Sequence, residues 1–68
     1  MGTLYDRLAS GEAVTVRVSH SGEVITINWY EEYGLHWLRI VKNGRTVKRG
    51  VPMDRWSLGD WCFGVVPV

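Results

Sequence analysis

The 68-residue chain carries one cysteine (Cys62), two histidines (His20 and His36) and two prolines (Pro52 and Pro67). A single thiol excludes an intrachain disulfide, and two scattered imidazoles beside it exclude a cysteine-rich zinc site. The staples that small folds commonly recruit are therefore missing. A chain of this size buries only about 60% of the surface its unfolded form exposes, so the expected stability margin is thin and a large enclosed cleft is not expected. No run approaches the ~20 apolar residues of a membrane span. The opening Met1-Gly2-Thr3-Leu4-Tyr5-Asp6 has neither the basic start nor the apolar stretch of a secretory signal, and Asp6 stands where a myristoylation signal at Gly2 needs Ser or Thr. One free thiol and no export signal set a reducing, cytoplasmic compartment as the expectation.

Catalytic chemistry is equally sparse. Cys62 lies between Trp61 and Phe63 with no basic neighbour to lower its pKa. His20 sits in turn-forming sequence, and His36 alternates with Leu38 and Ile40, the pattern of a rim histidine rather than a ligand. The eight glycines occur singly, so no glycine-rich loop cradles a phosphate. Neither enzymatic activity nor a metal or cofactor is expected.

What the chain does have is 46% hydrophobic residues and eight aromatics, which exclude disorder and describe one domain over 1–68. Its net charge of +1 hides a split. Residues 1–34 carry −3 and residues 35–68 carry +4. That asymmetry marks either a partner footprint or oppositely charged strands lying side by side.

Thr3 to Ser10 predicts a short helix: Thr3 caps it, Asp6 suits its positive end, Leu4 and Leu8 share a face, and Gly11 stops it. Eight residues cannot hold a helix alone, so its leucines need a sheet to dock on. Glu12 to Ser19 alternates, with Val14, Val16 and Val18 on one face, and Glu23 to Tyr30 follows with Ile25, Ile27 and Trp29. Glu31-Glu32-Tyr33-Gly34 breaks that strand. Leu35–Lys42 and Arg45–Arg49 flank Asn43-Gly44, a two-residue hairpin signal. The implied register puts Leu38, Ile40 and Val47 in the core and turns Trp37, Arg39 and Lys48 outward. Gly50-Val51-Pro52 ends the hairpin, Asp54 caps a short helical turn through Leu58, and Trp61 to Val66 reads as a last strand apolar on both faces. That strand is either covered twice or an edge that invites a second copy of the chain.

Residues 22–56 resemble the central part of a Src-homology-3 (SH3) domain. The resemblance rests on Gly22-Glu23-Val24-Ile25-Thr26-Ile27, on Trp37 at the start of a strand, on the Asn43-Gly44-Arg45 hairpin and on Gly50-Val51-Pro52; Leu4-Tyr5-Asp6 echoes a further motif upstream. It implies a small five-stranded SH3-like barrel, here with a short N-terminal α-helix and a 3-10 turn before the last strand. It also implies that Tyr5, Trp37 and Pro52 line a groove for proline-rich peptides.

Two functional expectations follow. The first is a protein-binding module, an adaptor or stoichiometric inhibitor of the kind phages also encode, working through Tyr5, Tyr33, Trp37, Arg39 and Pro52. The second is a nucleic-acid binder using Arg39, Lys42, Arg45, Lys48 and Arg49 of the hairpin 39–49. A homodimer through the C-terminal strand is compatible with either.

Overall fold

Thr3 opens the first helix as its sequence predicts. In the computed structural model, which describes residues 3–68, the Thr3 hydroxyl accepts from the Asp6 backbone N–H at 3.1 Å. The Asp6 carboxylate accepts from the Thr3 N–H at 3.2 Å, completing a reciprocal cap. Helix α1 spans Leu4–Ala9 and buries Leu8 completely. The myristoylation position at Gly2 lies outside the described residues.

Five strands follow: β1 (Val14–Val18), β2 (Val24–Glu32), β3 (Leu35–Lys42), β4 (Arg45–Pro52) and, after helix α2 (Arg55–Cys62), β5 (Val65–Pro67). They form one antiparallel sheet in the order β4-β3-β2-β1-β5. Alternation sets its two faces. Val14, Val16, Ile25, Ile27, Trp29, Leu38 and Val65 point inward and are buried together with Leu8 of α1 and Leu58 of α2. Both helices therefore cover the same face of the sheet. The ladder keeps two edges, β4 and β5, so the strands make an open sheet where the sequence predicts a closed barrel. Among the described residues, no helix is long and apolar enough to cross a membrane.

Four local expectations are corrected. Strand β2 does not break at Glu31; it runs through Glu32, and only Tyr33-Gly34 turns the chain, both with positive φ (57° and 74°) as a type I′ hairpin requires. Strand β4 continues to Pro52, opposite Trp37; a proline is tolerated there because β4 is an edge. The predicted 3-10 turn and long last strand are replaced by the eight-residue helix α2 and a three-residue β5. Leu58, Trp61 and Cys62 pack on the core at helical spacing, which overrides the apparent alternation of Trp61-Cys62-Phe63. Phe63 is the helix cap residue and stands 88% exposed.

The fourth correction concerns the hairpin. Lys42 pairs with Arg45 and Val41 with Thr46 as predicted, but β4 then carries an extra residue. Ile40 faces Lys48 and Arg39 faces Arg49, leaving Val47 out of register and 61% exposed. A second irregularity between Trp37 and Arg39 brings Gly50 against Leu38. Bulges of this kind twist an edge strand away from foreign pairing.

Candidate functional site

The parity of β3 survives the bulges. Leu38 is 1% exposed on the helix side, whereas Trp37 and Arg39 lie on the opposite, outer face of the sheet. There Trp37 is flanked by Tyr30 on β2 and Pro52 on β4. Its indole N–H donates to the Glu32 carbonyl at 2.9 Å, which fixes the ring half-buried against the strand.

Tyr30 forms the centre of a charged clamp. The Arg39 guanidinium lies 4.6 Å from its ring centroid and that of Arg49 lies 5.6 Å away, both within cation–π range. Arg49 also donates to the Glu32 carboxylate at 2.7 Å. Arg39 has no carboxylate partner among the described residues. Its orientation therefore comes from the aromatic ring, leaving its hydrogen-bond donors uncommitted to an acid. The Tyr30 hydroxyl is buried and finds no hydrogen-bond partner among the described residues.

Beside this cluster, Tyr33 stands 88% exposed in the β2–β3 turn. It occupies the left-handed region at φ 57°, where Gly, Asn or Asp is usual and an aromatic side chain is strained. Counting by register, the outer face carries Arg17, Arg39 and Arg49 against Glu32, a net positive surface.

The structure thus gathers Trp37, Arg39 and Pro52, with Tyr33 at the adjoining turn. It separates Tyr5, which sits on α1 across the sheet, so the three-residue proline groove of Tyr5, Trp37 and Pro52 does not assemble. The hairpin cations are dispersed as well. Lys48 shares the inner side with Ile40 rather than the face of Arg39, and Arg49 takes the place expected for Lys48. Lys42 and Arg45 flank the Asn43-Gly44 turn at the far end of the hairpin, where Lys42 pairs with Glu23. The Lys42–Glu23 and Arg49–Glu32 pairs both join an acid of the first half to a base of the second, so the charge split is in part neutralised strand to strand.

Trp29 and His36 are structural neighbours: their rings stack at 4.2 Å, and the Trp29 indole donates to the Met53 carbonyl at 3.0 Å. Cys62 is half-buried, and burial pushes its thiol above the ordinary value, away from the thiolate form. Sequence reasoning turns Tyr30 away from the core, from the alternation of β2, without counting it among the binding residues, and it takes Arg49 for a hairpin cation on the Leu38 face. The bulge that moves Arg49 to the outer face is not legible in the sequence. No family model, curated protein or solved structure matches this chain.

Proposed function

We propose that this chain is a non-enzymatic binding module that docks on another protein through the outer face of its sheet. The observation that carries this reading is the Tyr30 clamp: Arg39, held over the ring with no acidic partner among the described residues, lies next to Trp37 and Pro52. Trp, Tyr and Arg are the residue types that dominate interface energetics, and a surface that pre-orients them loses less side-chain entropy on binding. The net positive face selects an acidic segment, with Arg39 as the carboxylate ligand, Trp37 and Pro52 as the apolar floor, and Tyr33 at the rim.

An SH3-like description of the fold belongs to the same proposal. Its support is a meander of four strands whose fifth strand returns to pair with the first, leaving the seam between β4 and β5 open. A reducing, cytoplasmic setting suits a chain with one protonated thiol. The nucleic-acid reading has weaker support, because two of its five cations are paired within the chain and the others lie on different faces and at different ends of the hairpin.

Synthetic peptides, acidic, neutral and basic, titrated at low and moderate salt against the wild type and Arg39→Ala test the proposal. Acidic peptides are expected to bind, more weakly as salt rises, with at least a tenfold loss (about 1.4 kcal/mol) in the variant. Retention of a generic single strand or duplex at ~50 mM salt, with no acidic peptide bound, would transfer the function to the second reading.

A further inference from the structure

The two most exposed large aromatics besides Tyr33 lie on the other side of the molecule. Trp56 is 80% and Phe63 88% exposed, and with Leu4 and Tyr5 of α1 they flank a groove of about 870 Å³ between the two helices. Gly59 forms part of its floor, in the interior of α2. Glycine weakens a helix interior relative to alanine, yet among the described residues nothing lies within 4 Å of where a Cβ would project at Gly59. Packing among the described residues therefore does not require a glycine at this position.

We propose that this face of α2 is an interface with a second copy of the chain, the helices crossing antiparallel at Gly59. The spacing is the reason for choosing a copy over another partner. Trp56 precedes the glycine by three residues and Phe63 follows it by four, so both lie on the glycine's face of the helix. The pattern reads nearly the same in either direction. A two-fold axis through Gly59 therefore sets Trp56 of one copy against Phe63 of the other, twice, while the two glycines let the backbones close up.

The area is that of a weak dimer. At roughly 150–250 Å² for a whole aromatic side chain, the exposed parts of Trp56 and Phe63 and what stays accessible of the half-buried Leu4 and Tyr5 contribute roughly 400–500 Å² per protomer, the small, transient end of protein interfaces. The C-terminal edge is a poorer candidate, since β5 offers three residues and ends in Pro67.

Sedimentation of the full chain from about 1 µM to about 1 mM, with wild type, Gly59→Gln and Trp56→Ser, tests this. The wild type is expected to pass from 7.8 kDa to twice that mass. Gly59→Gln should raise the thermal midpoint of the dilute monomer, because glutamine is the better helix former, while moving dimerisation at least about tenfold up in concentration. Trp56→Ser should weaken dimerisation without unfolding the chain. A wild type that stays monomeric throughout, or a dimer indifferent to both substitutions, overturns the proposal.

Discussion

At Gly50 the chain has no room for a side chain. A Cβ there would meet the Leu38 carbonyl and lie 2.9 Å from the Leu38 Cβ, in the bulged part of an edge strand. Gly50→Ala should destabilise the fold by about 1–3 kcal/mol, read as a shift of the urea midpoint with unchanged slope. Tyr33 shows the opposite economy. It is fully accessible yet held at positive φ, so Tyr33→Gly should leave stability unchanged or raise it by about 1 kcal/mol, while weakening acidic-peptide binding. A residue that lowers stability and contacts nothing would show the first effect alone. Single positions of this kind are only partly legible in a sequence. Asn43-Gly44 announces a two-residue turn, whereas Glu31-Glu32-Tyr33-Gly34 reads only as a break of unspecified length, because an aromatic is an unusual first residue for that geometry.

At the scale of elements, α2 depends on its cap. The Asp54 carboxylate accepts from the Ser57 backbone N–H at 2.8 Å, and that bond holds its pKa below the ordinary 3.8. A depressed carboxylate contributes stability above its unfolded pKa, and the contribution is lost as pH falls through the lower folded value. Asp54→Ala should lower the thermal midpoint at neutral pH by roughly 4–8 °C. Asp54→Asn should keep most of the cap but show a shallower loss below about pH 4 than the wild type, measured by thermal unfolding across the acid range. The cap itself was readable from Asp54, as was the reciprocal one at Thr3. Behind it only the first turn, through Leu58, was readable; the continuation to Cys62 was not, because Gly59 reads as a breaker and Trp61 to Val66 as an alternating strand. Strands β1 and β2 were readable in full parity, since a period of two admits no compromise once one face is buried. Strand β4 was misread beyond Thr46, where an extra residue exchanges the faces of Lys48 and Arg49 without leaving any mark in composition.

For the whole molecule, the sheet divides two surfaces of different character. Helices and core occupy one side, ending in the apolar groove of Trp56 and Phe63; the other side carries Tyr30, Trp37, Arg39 and Arg49. Pairing through the first would leave both copies of the second facing outward, a bivalent binder whose avidity depends on the spacing of acidic segments in its target. The outer face is the part on which the functional account rests. The most direct test compares Trp37→Ala with Leu38→Ala, adjacent residues on opposite sides of β3, by urea unfolding and acidic-peptide titration. Leu38→Ala should cost about 2–5 kcal/mol of stability, while Trp37→Ala should stay folded and lose at least tenfold in peptide affinity. Unfolding of Trp37→Ala, or undiminished peptide binding by it, would contradict the account.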